Sequence, residues 1–369
     1  MKKNQWILSL LVLLALVALV VWGRGRIHFD FAAFRAQLAL ADWTRIALAT
    51  GCIYLGYVFR SVRWALLLRH NKKVPLLSLL GTQVIGFAAV ALIGRIADPV
   101  RPYLVARKTR LPISNQLAVY IVERLFDFGA MALIFSVAML WIPDVQIVRA
   151  LGHSRLLSAV MLHFPSLAAS VARYTGLVIT LFGACFLLAV RLAGGLVASL
   201  LQGAFGLVST KLGHAIAQKV LSFRTGLDTI RSFGDLAVTA SLSLAMWMLI
   251  ALAYLETIQA FVASPQLATL TPARCILLMT ASGGASVLQL PVLGWFSQIG
   301  IVAAFLYSFF GASTEASTAC AATLLLVTFM SIVPVGLVWA RFDHVSMRRI
   351  TEESEHAGEA LPVQEFPGA

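Results

Sequence analysis

Apolar runs long enough to cross a bilayer recur along this chain, and they constrain its fold before any motif does. A hydrocarbon core roughly 30 Å thick takes about 20 helical residues to span. The clearest runs are Trp6 to Trp22, Trp43 to Phe59, Ile113 to Trp141, Thr175 to Val190, Leu236 to Val262 and Thr318 to Ala340. Shorter or interrupted ones are Val74 to Ile93, Pro272 to Leu293 and Gln298 to Phe310. Composition agrees, with 60% of residues hydrophobic, 12% charged and a mean hydropathy of +0.87. The expected fold class is all-α, a polytopic transmembrane helix bundle of about eight crossings. One integral membrane domain is expected over residues 1–350, and the acidic, aperiodic segment 351–369 reads as a short disordered tail.

The formal net charge of +13 raises the question of nucleic acid. No soluble segment large enough to fold alone interleaves basic residues with aromatics, so no nucleic-acid partner is expected and anionic lipid headgroups suit the charge better. Cys52, Cys185, Cys275 and Cys320 are far apart within apolar runs. They suggest neither a disulfide framework nor a metal site, but small packing residues. The N-terminal Lys2 and Lys3 precede the first run and no A-x-A site follows it, so an uncleaved first helix with a cytoplasmic N-terminus is expected.

Between the first two crossings, Ile27, Phe31, Phe34 and Leu38 recur near helical spacing, which predicts an interfacial helix on the outer surface. The second crossing delivers Arg60, Arg63, Arg69, Lys72 and Lys73, a set that argues for the cytoplasm. A conflict follows. If Val74 to Ile93 crossed fully, the equally basic stretch "GRIADPVRPYLVARKTR", Gly94 to Arg110, would lie outside. A re-entrant hairpin resolves it, with the interruption placed at Gly81, Thr82, Gln83 and Gly86. A second interrupted segment occurs late, broken by Ser282, Gly283, Gly284, Gln289 and Pro291. Paired Gly-interrupted segments in two halves point to a transporter's internal repeat around a central site, although glycines also simply let helices pack closely. Arg191 to Gly234 reads as a helical cytoplasmic linker, and Arg341, Arg348 and Arg349 place the C-terminus inside.

No G-x-S-x-G, Walker A, G-x-G-x-x-G or H-E-x-x-H sequence occurs, so no catalytic residue, metal or cofactor is expected. Charge inside an apolar helix stands out instead. Glu123, Arg124 and Asp127 fall within Ile113 to Trp141; Glu123 and Asp127 share a helical face, and Arg124 can pair with Asp127. Such residues mark either a functional cavity or a structural ion pair between helices. In the basic stretch, Asp98 before Pro99 predicts a helix N-cap. Arg95, Asp98 and Arg101 recur every three residues and could converge, and arginine suits bidentate contact with a phosphate. Lys108 and Arg110 are adequately explained as loop anchors.

The segments "YVFRSVRWALLLR", "GRIADPVRPYLVARK" and "VERLFDF", in this order, resemble the signature segments of the lysylphosphatidylglycerol synthase transmembrane-region family, also called flippase-like or UPF0104 proteins. The resemblance runs from about Trp43 to Arg341. It implies a multi-pass inner-membrane protein that moves a lipid; in the fused synthases the equivalent domain flips an aminoacylated phospholipid, and stand-alone relatives are linked to other lipids, including hopanoids. The synthase's aminoacyl-transferase activity is expected to be absent. Where many members carry a Glu that closes a Pro-Gly-Gly segment, this chain has Gln298.

The expected function is translocation of a phosphate-bearing or other polar-headgroup lipid, through two hairpins that meet near the midplane around a polar cavity. Candidate substrate-binding residues are Arg60, Arg63, Arg95, Asp98, Arg101, Glu123, Arg124, Asp127 and Gln298. Arg95 and Arg101 would engage phosphate, Asp98 would orient them, and Glu123 with Asp127 would balance the cavity charge or accept a cationic headgroup. The lipid could be a phospholipid, a polyprenyl-phosphate lipid or a hopanoid. The alternatives are a membrane-embedded lipid-modifying enzyme, and a scaffold that recruits a cytoplasmic lipid-synthesis enzyme through the linker.

Overall fold

In the computed structural model the residues described are 29–69, 72–141, 232–285 and 293–343, with parts of 170–218. Helix α1 (Phe31–Ala39) opens at Asp30, whose carboxylate accepts from the Ala32 and Ala33 amides at 2.7 and 3.1 Å. Helix α2 (Trp43–Leu68) opens the same way at Asp42, and a 74° bend separates the two. Helix α1 therefore lies across the end of α2, with Phe34 and Leu38 against the core and Phe31 exposed, the geometry of an interfacial helix. Helix α2 runs past Phe59 to Leu68. Arg60 and Arg63, expected on a cytoplasmic loop, are thus helix-interior residues; their ion pairs, described below, make the extra turns tolerable at depth.

Helix α3 (Leu76–Ile93) is unbroken, which corrects the interruption expected at Gly81, Thr82, Gln83 and Gly86. These small and polar residues serve close approach instead: Gly81 sits against the Trp339 indole and Gly86 against the Arg101 stem. The turn falls later, at Gly94, whose φ of 89° favours a residue without a Cβ. A 3-10 turn (Arg95–Ala97) leads to helix α4 (Val100–Thr109), so much of the expected basic loop is helical. Asp98 is not the N-cap. It is already in the right-handed helical region, Pro99 holds the cap position, and no side chain caps α4. Helix α4 returns along α3: Val105 packs with Leu79, the Lys108 ammonium reaches the Ser78 carbonyl at 3.5 Å, and Lys72 Nζ donates to the Thr109 carbonyl at 2.9 Å. The hairpin exists, with its turn displaced, and the end of the second basic segment lies beside the first at one end of the bundle.

Helix α5 (Ile113–Met139) follows, and helix α6 (Ala193–Gly206) is the described core of the linker, with Ala198 packed among Trp64, Leu67 and Leu68. Helix α7 (Phe233–Gln259) begins at a capping box formed by Ser232 and Asp235. It lies antiparallel to α2 along its whole length, from the Arg69–Asp235 ion pair to Arg45, which donates to Glu256 at 2.9 Å and Gln259 at 3.1 Å.

Helices α8 (Pro272–Ala285) and α9 (Leu293–Phe310) form a second antiparallel hairpin, with Leu278 and Met279 packed in one core with Val302 and Leu306. Ser282, Gly283 and Gly284, expected to break this segment, are helical; Gln289 and Pro291 lie outside the described residues. Helix α10 (Thr314–Leu325), a π-helical turn (Leu326–Met330) and helix α11 (Ile332–Phe342) make one apolar span. Helix α11 packs on α3, where a Cβ on Gly336 would run into Ala88. The ends of the two hairpins meet: Trp295 Nε1 donates to the Ala91 carbonyl at 2.9 Å.

The chain is all-helical among the described residues, with no strand. Three helices there are long and apolar enough to cross a membrane, or four if α1 and α2 make one bent span. Helix α5 fails such a test through its own charges, although it is 27 residues long. The expected first crossing, most of the 175–190 crossing, much of the linker and the C-terminal tail lie outside the described residues. Cys52, Cys275 and Cys320 are buried packing residues; Cys185 is exposed, contrary to expectation.

Candidate functional site

Glu123 and Asp127 stand one turn apart on α5, and the fold brings four guanidinium groups to them from three helices. Arg63 of α2 bridges the pair, with Nη2 donating to Glu123 Oε1 at 2.7 Å and Nη1 to Asp127 Oδ1 at 2.6 Å. Its Nη1 also donates to Ser243 Oγ of α7 at 2.6 Å. Arg101 of α4 lies 3.4 Å from Glu123 Oε1 and donates to Gln83 Oε1 at 3.3 Å. Arg60 Nη1 stands 3.6 Å from both carboxylates, and Arg124 Nη2 stands 3.5 and 3.6 Å from them. Arg63 is 1% exposed, Arg101 0%, Glu123 1% and Asp127 3%.

Charges this deep persist only when paired and hydrogen-bonded. Aromatic rings supply further support, with Arg101 4.4 Å over the Phe87 ring and 5.1 Å over Tyr120, and Arg60 4.8 Å over Phe87. Gly86 makes the arrangement possible, since a Cβ there would collide with the Arg101 stem.

The cluster backs onto a cavity of about 460 Å³ between the two hairpins. Arg60, Arg95, Asp98, Arg124 and Asp127 line one wall, whereas Arg63 and Arg101 stay behind it, clamped on the carboxylates. Arg95 pairs with Asp98 at 3.7 Å at the turn of the first hairpin. The expected convergence of Arg95, Asp98 and Arg101 is thus corrected: Arg95 and Asp98 pair with each other ahead of α4, while Arg101 within α4 turns to Gln83 and Glu123. The opposite cavity wall is neutral. Tyr254 and Ser282 share a hydrogen bond at 3.0 Å, Gln298 Nε2 donates to Ser282 Oγ at 3.4 Å, and apolar Trp247, Ile250 and Met279 complete it.

All nine candidate residues therefore fall in or directly behind one site. Ser243, Phe87, Tyr120 and Tyr254 belong to it as well and were not singled out from the sequence, while Gln83 and Ser282 were read there only as helix interruptions. Arg60 and Arg63, three residues apart at the end of an apolar run, carried a signal for a helical pair. Ser243 and Tyr254 carried none, being ordinary within the apolar run 236–262.

The family profile described as Lysylphosphatidylglycerol synthase TM region matches residues 6–338. Neither a curated protein nor a solved structure matches the chain.

Proposed function

The chain belongs to the lysylphosphatidylglycerol synthase TM-region family, and from that premise we propose that it translocates a lipid with a phosphate-bearing headgroup across the bacterial inner membrane. A polar headgroup crossing hydrocarbon alone leaves unpaired polar groups that cost several kcal/mol each, by order of magnitude. A cavity with a guanidinium-lined wall lowers that barrier while the acyl chains stay in lipid. The observation that carries the reading is the wall of Arg60, Arg95 and Arg124 on a cavity of about 460 Å³. In this reading the protein makes and breaks no covalent bond, and the two hairpins belong to pseudo-repeated halves of a bundle of about eight crossings. The end that carries Arg69, Lys72, Lys108 and Arg341 faces the cytoplasm, as does the N-terminus.

The test is reconstitution into liposomes that hold headgroup-labelled lipids, with a membrane-impermeant quencher added outside. In protein-free vesicles quenching should stop at the outer leaflet, and with the protein it should run toward completion. Identical quenching in both would reject translocation.

A further inference from the structure

The charges of the buried cluster do not balance, and the imbalance selects a headgroup. Arg60, Arg63, Arg101 and Arg124 face Glu123 and Asp127, while Arg95 and Asp98 pair separately, so among the described residues two positive charges are left over. Both carboxylates are already ringed by guanidinium groups, although Glu123 Oε2 and Asp127 Oδ2 accept no hydrogen bond. Glu123 Oε1 alone lies within 3.6 Å of Arg60, Arg63, Arg101 and Arg124, and Asp127 is shared by Arg60, Arg63 and Arg124. The guanidinium groups on the cavity-lining side chains are held loosely by contrast: Arg60 Nη1 and Arg124 Nη2 stand 3.5 to 3.6 Å from the carboxylates and make no hydrogen bond. Arg60 is only 9% exposed, so bulk solvent does little to stabilise its charge. The facing wall offers hydroxyl and amide groups from Tyr254, Ser282 and Gln298. It has no carboxylate that could receive an ammonium.

From this charge count we infer that the cargo is a lipid phosphomonoester, a headgroup with nearly two negative charges and no amine. A phosphomonoester carries about −1.5 to −2 near neutral pH and three acceptor oxygens, which matches the excess charge and suits the loosely held guanidinium groups of Arg60 and Arg124. A phosphodiester cancels only about half of the excess. An aminoacylated headgroup brings its ammonium toward Arg60 and Arg124 and is repelled. The inference deepens the translocation reading by naming the substrate class of the same cavity, and it rests on that reading for its biological meaning. Its binding test, however, is separate from transport.

Purified full-length protein in phosphatidylcholine nanodiscs is titrated with dihexanoyl phosphatidate, dihexanoyl phosphatidylglycerol, an aminoacylated dihexanoyl phosphatidylglycerol and glycerol 3-phosphate, with tryptophan fluorescence as readout. The phosphatidate should bind about tenfold tighter than the diester, as stronger charge-assisted hydrogen bonding requires. The aminoacylated lipid and glycerol 3-phosphate should bind more weakly still. The advantage over the diester should shrink as pH falls through about 6, where the monoester takes up its second proton. Parity of monoester and diester, or preference for the aminoacylated lipid, overturns the assignment; equal binding of glycerol 3-phosphate overturns its lipid part.

Arg60→Gln and Arg124→Gln, each checked for monodispersity and thermal unfolding, should reduce the tenfold preference to about twofold by removing one excess charge. Full discrimination in a folded variant of both kinds also overturns it. Discriminating binding with no label crossing in the liposome assay rejects translocation and leaves the charge assignment standing. Absence of binding by every ligand rejects the assignment itself.

Discussion

Glu123 holds more cations than any other residue described, and its neighbourhood dictates what a single substitution does. Four guanidinium groups lie within 3.6 Å of its Oε1. Glu123→Gln leaves Arg60, Arg63 and Arg124 with Asp127 alone and Arg101 with no carboxylate, and breaking a buried pair from one side costs about 3 to 5 kcal/mol. This variant should therefore lose folded protein, read as a lower thermal midpoint in detergent and a lower monodisperse yield. The two arginines of the basic stretch should separate. Arg101→Lys loses the fork and its stacking on Phe87 and Tyr120 inside a fully buried site, so stability and transport should fall together. Arg95→Lys keeps its charge at the cavity rim and should unfold like the parent, while transport falls several-fold; unchanged transport by folded Arg95→Lys would remove that residue from the headgroup path. Gly86→Ala pushes a Cβ into the Arg101 stem and should destabilise by about 1 to 3 kcal/mol, the usual range for overpacking. At this scale the sequence showed which residues carried charge at membrane depth, since Glu123, Arg124 and Asp127 interrupt an apolar run. It did not show that Arg63, sixty positions from Glu123, was their main partner.

The hairpin of α3 and α4 turns a stretch that reads as a loop into a structural element. Its short arm ends beside its long arm's beginning, through Lys72 to Thr109 and Lys108 to Ser78. Single cysteines at Lys73 and Arg110, in a background without Cys52, Cys185, Cys275 and Cys320, should react with an impermeant thiol reagent from the same side. A cysteine at Gln266, in the connection between α7 and α8 at the opposite end of the bundle, should react from the other side. Opposite labelling of Lys73 and Arg110 positions would reject the hairpin. The interruption was misplaced in the sequence because Gly81 and Gly86 look like breaks, whereas in lipid a glycine stays helical where a neighbour covers it. Trp339 and Arg101 provide that cover, the first from the far end of the chain and the second from the returning arm of the hairpin.

Across the molecule, the cavity lies where two hairpins meet, and among the described residues a hydrogen bond joins them. Trp295 Nε1 donates to the Ala91 carbonyl at 2.9 Å. Trp295→Phe deletes that donor for a modest loss of about 0.5 to 1.5 kcal/mol in unfolding, yet it should alter transport more than stability, because it uncouples the parts that frame the path. Measuring both on one preparation decides this; a transport loss no larger than the loss of folded protein would show the contact to be merely structural. By itself, the sequence determined that the chain is helical and membrane-embedded, and that charge lies buried in α5. Those properties are local: an apolar run in lipid must satisfy its own backbone, so its composition fixes its conformation. Which cation meets which carboxylate, where the first hairpin turns, and which arginines line the cavity while others stay behind it were decided only by tertiary structure. Ion pairs and hydrogen bonds join side chains 60 to 180 residues apart, as from Arg63 to Glu123 and Ser243, and no local pattern encodes that distance.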